Sequence, residues 1–103
     1  MSTSANWENP IKVGTGQIQR DIDPALLRPA RKDLVRSRLE YQRQLIRASQ
    51  ARYTPIQVNQ HAVIIDGHHY VRAAAEEGRL VDVVVSPIPE VASADSILDL
   101  PLR

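Results

Sequence analysis

From residue 30 to residue 51 the chain carries no glycine or proline and is rich in Arg, Leu, Gln and Ala. Within this stretch Leu34, Tyr41, Leu45 and Ala48 recur at spacings of seven, four and three, with Val35, Leu39 and Ile46 beside them. That period predicts one long helix whose apolar stripe faces a core. Thr54-Pro55 ends it, because a residue before proline is pushed out of the helical region. Ile56, Gln57 and Val58 then alternate as a strand, Asn59 and Gln60 offer a two-residue hairpin turn, and residues 62–65 read as a buried strand. Gly67 turns the chain into an Ala-rich helix over residues 69–77, closed by Gly78 in the left-handed position that ends many helices. Residues 81–85, β-branched except for Asp82, make the last strand.

Before the long helix the signals are more local. Residues 10–13 alternate behind a proline and read as a first strand. Asp23-Pro24 is an N-cap followed by proline at the first helical position, which predicts a helical turn over residues 24–28. Residues 89–103 are small, acidic and proline-punctuated, and read as a surface tail with a short helix near Ser96 to Leu100. The expected organisation is a flexible stretch over residues 1–9, one α+β domain over 10–88 with a short mixed sheet, and that tail. Trp7 is expected to pack the N-terminus, and Tyr41 and Tyr53 to belong to the core or its rim.

Composition narrows the class. With 43% hydrophobic and 24% charged residues, the chain reads as a soluble domain with a single core. It contains no cysteine, which excludes disulfides, thiolate metal sites and a cysteine nucleophile. Its N-terminus lacks the features of a secretory signal, and no apolar run approaches the ~20 residues that span a bilayer. A cytoplasmic location without membrane association is expected, and delivery by a specialised secretion machine would leave no mark. The net charge of +1 hides a polarity. Residues 28–52 hold eight basic side chains against Asp33 and Glu40, whereas from Asp82 onward four acidic residues face Arg103 alone. Lys32, Arg36, Arg43 and Arg47 recur at four, seven and four, either as a solvated face or as a rail for nucleic acid.

The segment with chemistry is the strand, turn and helix around Asp66, Gly67, His68 and His69. A helix start behind a tight turn presents backbone N–H groups and the positive end of the helix dipole, which suit a phosphate or carboxylate. A histidine there can donate to phosphate or carry a proton near neutral pH. Asp66 also reads as a simple helix cap, worth ~1 kcal/mol. Adjacent helical histidines diverge by ~100°, so one of them is expected to be structural. Such a pair chelates poorly, and no dedicated transition-metal site is expected.

Pro55-Ile56-Gln57-Val58, then Val63 through His69, then Arg72-Ala73-Ala74 together resemble the ParB N-terminal, or ParB-like nuclease, domain of the ParB/sulfiredoxin fold. Arg20 and the run from Ile22 to Leu26 resemble that family's arginine loop and first short helix, so residues 10–88 are covered. The resemblance implies that Gly67, His68 and His69 line a phosphate site for nucleotide or nucleic acid. By the same resemblance Arg72 and Arg20 contact phosphate, and Asp66 manages Mg²⁺ or a reacting hydroxyl. His68 or His69 would then be a general acid or base. Tyr70 stands where related turns continue with arginine, so that phosphate contact is either missing or supplied by its phenol. No glutamate occupies the early loop where serine-kinase members carry a base, Asp21 being the nearest. The sulfiredoxin reaction needs a cysteine and is excluded.

These implications predict a nuclease or related phosphoryl-transfer enzyme acting with Mg²⁺, and with ATP, ADP or CTP as candidate nucleotides. A toxin or effector domain, or a phage or plasmid accessory protein, fits a copy with no helix-turn-helix. The alternatives are a non-catalytic regulatory module that binds nucleotide, DNA, a protein partner or a second copy, and a nucleotide-dependent small-molecule kinase of the serine type. A ββα-metal nuclease also contains a Gly-His-His string, but the Ala-rich helix after it argues against that fold.

Overall fold

The long basic helix starts later than its periodicity suggests, and the cause lies at the far end of the chain. In the computed structural model, which describes residues 7–49 and 54–103, α1 spans Arg36–Arg47. Residues 30–35 form bends and an isolated bridge instead. Leu34 N–H donates to Pro101 O at 3.0 Å, Arg103 N–H to Leu34 O at 2.8 Å and Arg36 N–H to Arg103 O at 2.9 Å. This extended pairing consumes the backbone groups that a longer helix would use. Residues 50 and 51, with Tyr53, lie outside the described residues.

The same pairing corrects the expectation of a surface tail. Ile97 is fully buried and Leu100 is 4% exposed, and both join the core cluster. A 3-10 turn at Ile97–Asp99, capped by Ser96, presents them, so the expected short helix is real but inward-facing.

The sheet has four strands, β1 Ile18–Ile22, β2 Ile56–Val58, β3 Ile64–Asp66 and β4 Val81–Val85, in the order β1-β4-β2-β3. β4 runs antiparallel to β1 and parallel to β2, and β2 runs antiparallel to β3. With α1 and α2, His68–Glu76, this is an α+β domain with a mixed sheet. The first strand is not at residues 10–13. Those residues flank β1 and are held by the Gln19 side chain, which donates to Pro10 O and accepts from Lys12 N–H. β1 itself is an edge strand, Ile-Gln-Arg-Asp-Ile, with a register shift between Gln19 and Ile22. The β2–β3 turn is longer than two residues. Buried Asn59 accepts from the amides of His61 and Val63 through its side chain, and Ala62 takes a φ of 62°. Asp23 caps the 3-10 turn Pro24–Leu26 by accepting from Ala25 N–H, as its sequence implies.

The core-facing stripe of α1 is Leu39 and Ile46, whereas Tyr41 is 59% exposed. Leu34 and Val35 precede the helix, so a helical period begun at Leu34 runs out of phase with the packed face. Trp7 does pack the N-terminus, donating from its indole to Leu26 O at 3.0 Å with the Arg28 guanidinium 4.3 Å from its ring centre.

One ion-pair network joins both helices to the C-terminal segment. Glu76 accepts from Arg43 at 2.7 and 2.9 Å and from Arg72 at 3.0 Å, while Arg72 also donates to Ile97 O and Leu100 O. The hydrogen bond from Arg43 is the main cause holding the Glu76 carboxyl below its ordinary range. Glu76→Ala would remove the carboxylate shared by two arginines that are 25% and 14% exposed, leaving Arg43 with Glu40 and Arg72 with the two C-terminal carbonyls. Urea unfolding is expected to show a loss of about 2 kcal/mol, reduced from the value for a fully buried pair by this exposure.

Candidate functional site

β3 carries buried Ile64 into the core and ends at exposed Asp66. Gly67 then adopts φ 100°, ψ 24°, a left-handed conformation that would cost a residue with a Cβ roughly 1–2 kcal/mol. α2 begins directly after it. The first intrahelical bond runs from Val71 N–H to Gly67 O at 3.0 Å. The amides of residues 68–70 therefore precede the helical ladder, and the positive end of the helix dipole lies at the turn.

A cavity of about 530 Å³ opens at this turn. The turn contributes Asp66, Gly67, His68, His69 and Tyr70, while the bent segment before α1 contributes Ala30 and Arg31. Arg38 and Gln42, four residues apart and so on one face of α1, also line it. Two guanidinium groups from different elements thus share a cavity with a helix start. Ile65, Ile88 and Glu90 complete the lining.

The histidines do something the pattern did not reveal. His68 accepts the Ala30 N–H at Nε2, and His69 accepts the Val35 N–H at Nε2, each at 3.0 Å. An accepting Nε2 carries no proton, which assigns the remaining one to Nδ1. His68 is only 7% exposed, and burial pushes its pKa down to about 4, helped by Arg31 and His69 and opposed by Asp66. Burial also lowers that of His69, with Arg31 and Arg38 acting in the same direction. Both imidazoles are therefore neutral tethers at neutral pH. The general acid or base expected of one of them would have to act without Nε2.

Comparison with known proteins adds a fold likeness. No protein-family model and no curated protein matches the chain. Among solved structures it is similar to protein Atu1540 from Agrobacterium tumefaciens, with 26% identity and a TM-score of 0.54. The likeness covers 67% of this chain and 38% of that one, so the chain spans well under half the length of the protein it matches. No activity travels with the likeness.

The other expected phosphate contacts do not gather at this cavity. Arg72 is committed to Glu76 and to the C-terminal carbonyls. Arg20 pairs with Asp82 at 3.1 Å and borders a second cavity of about 540 Å³, which Tyr70 also lines. The rail is broken as well. Arg43 is held by Glu76, Arg47 lies 3.6 Å from Glu77, and Lys32 precedes the helix, leaving Arg36 exposed at its start.

Arg31, Arg38 and Gln42 were not singled out by sequence, although both arginines belong to the net-basic stretch. A spacing of four between Arg38 and Gln42 was the available signal, but only the packing of α1 shows which face meets the turn. Among the described residues no group of three His, Cys, Asp or Glu side chains is placed to hold a metal ion. The cavity offers the carboxylates of Asp66 and Glu90, with two arginines alongside and both Nε2 atoms engaged. That donor set does not fit a divalent ion held by the protein alone. No helix among the described residues is long and apolar enough to cross a membrane.

Proposed function

We propose that this chain is a ParB-like module that binds a phosphate-bearing ligand, nucleotide or nucleic acid, in the cavity at the start of α2. The observation that carries this reading is the meeting of Arg31, Arg38 and the α2 N-terminus at one cavity. Each is a source of positive potential, and guanidinium groups match phosphate oxygens with paired donors. A volume of about 530 Å³ lies within the range of small-molecule and cofactor sites. Gln42 supplies a neutral donor and acceptor beside them.

The engaged Nε2 atoms favour binding over histidine acid–base chemistry. One observation supports a second reading, phosphoryl transfer or nuclease action. Asp66 brings a carboxylate to the same cavity, where it would orient an attacking hydroxyl or water.

Thermal unfolding with ATP, ADP, CTP and short DNA, each with and without Mg²⁺, tests both. Stabilisation by phosphate-bearing ligands, absent with the corresponding nucleosides, is the expected result. At a hundredfold excess over Kd the gain is about 2.7 kcal/mol. No stabilisation by any of them would sink the proposal. Under the enzyme reading, Asp66→Ala keeps the stabilisation and abolishes turnover, and nucleotide consumed in step with a hydroxyl acceptor would mark a kinase.

A further inference from the structure

Residues 30–35, which carry Arg31, form neither helix nor strand apart from the isolated bridge between Leu34 and Leu102. The C-terminal segment fastens them through the Ser93 hydroxyl, which donates to Arg31 O, and through the two bonds of Leu34, while Ser93 N–H holds the neighbouring Pro29 O at 2.8 Å. Toward α2, the Ala30 and Val35 amides are held by imidazoles. These two amides bracket Arg31. Neighbouring positions on a helix diverge by ~100°, and here that divergence lets His68 and His69 reach amides five residues apart.

Resting on the phosphate reading of the cavity, we infer that His68 and His69 are positioning residues, whose Nε2 atoms hold residues 30–35 against α2 so that Arg31 and the helix start meet one anion. A single helix then supplies part of the anion site and also fixes the arginine that completes it. Charged groups that line the same cavity are Arg31, Arg38, Asp66 and Glu90. The Ala30 and Val35 amides are accepted by the imidazole Nε2 atoms, on which the tethers therefore rest.

The test is titration calorimetry with inorganic pyrophosphate at neutral pH, on the whole chain and on His69→Ala and His69→Gln. The glutamine Oε1 keeps an acceptor where alanine has none. His69→Ala is expected to weaken binding roughly tenfold, about the worth of one hydrogen bond, and to speed amide exchange at Val35. His69→Gln is expected to restore both. Full binding by a folded His69→Ala overturns the inference and leaves the phosphate reading standing. Weak binding by His69→Gln with Val35 still protected also overturns it, since the imidazole would then act on the ligand directly. If the unaltered protein does not bind pyrophosphate, the phosphate reading fails and takes the inference with it. Should His69→Ala not fold, the unaltered protein decides: pyrophosphate slows exchange at Ala30 and Val35 if the tethers serve the site, and unchanged exchange overturns it.

Discussion

Replacing Arg31 and Arg38 together by glutamate is expected to abolish stabilisation by phosphate-bearing ligands while the fold survives. Hydrogen bonds to charged groups contribute roughly 1.5–3 kcal/mol each. Losing two of them corresponds to an affinity loss of about 10²–10⁴, before the repulsion from two new carboxylates is added. Stability should change little. Among the described residues neither guanidinium has an ion-pair partner, in contrast to Arg43, Arg72 and Arg103, which are all paired. Surface substitutions away from such features stay within about 0.5 kcal/mol. The double variant carries its own control, because Arg31 and Arg38 help to depress the histidines. An NMR titration should show both imidazoles moving up toward their ordinary range. Undiminished stabilisation by ATP or pyrophosphate in a variant whose histidines have moved would show that the ligand sits elsewhere.

How much of this was legible beforehand depended on how local the causes are. The Asp23 cap, the turn at Gly67, the left-handed Gly78, the Ala-rich α2 and the β-branched β4 each follow from neighbours within a few residues, and all appear where the sequence put them. β1 escaped notice because an edge strand needs little apolar content, and Gln-Arg-Asp occupies its middle. The start of α1 escaped for a different reason. Leu34 pairs with residues 101 and 103, and no local propensity anticipates a competitor so far along the chain. The turn at residues 66–70 could be singled out by its residue types, but its partners could not. Whether Arg38 or Arg43 faces the turn is decided by the phase of α1, which the period through Leu34 and Tyr41 set wrongly. Sequence pointed to one structural histidine but not to two, since an imidazole becomes a tether or an acid according to which atom meets Nε2.

Stability is expected to fall by roughly 3 kcal/mol as the pH drops from 6.5 toward 4, with His68 the main cause. In the folded chain burial holds this imidazole neutral down to about pH 4, whereas its ordinary value is 6.5. Below that value the unfolded chain takes up a proton that the folded chain refuses, so acid favours unfolding. The slope approaches ~1.4 kcal/mol per pH unit for one such group, and His69, shifted in the same direction, adds to it. Above 6.5 both states are neutral and the contribution is fully present. Glu76 works in a separate window, because a carboxylate held below its ordinary 4.5 loses its contribution only at lower pH. Urea unfolding across this range separates them. The unaltered chain should weaken before Glu76 titrates, and His68→Gln, which keeps an acceptor but binds no proton, should flatten that part of the curve. If the unaltered chain is equally stable across the window, His68 is not a buried neutral acceptor. The Ala30 tether, and with it the placement of Arg31 beside the turn, would then need another cause.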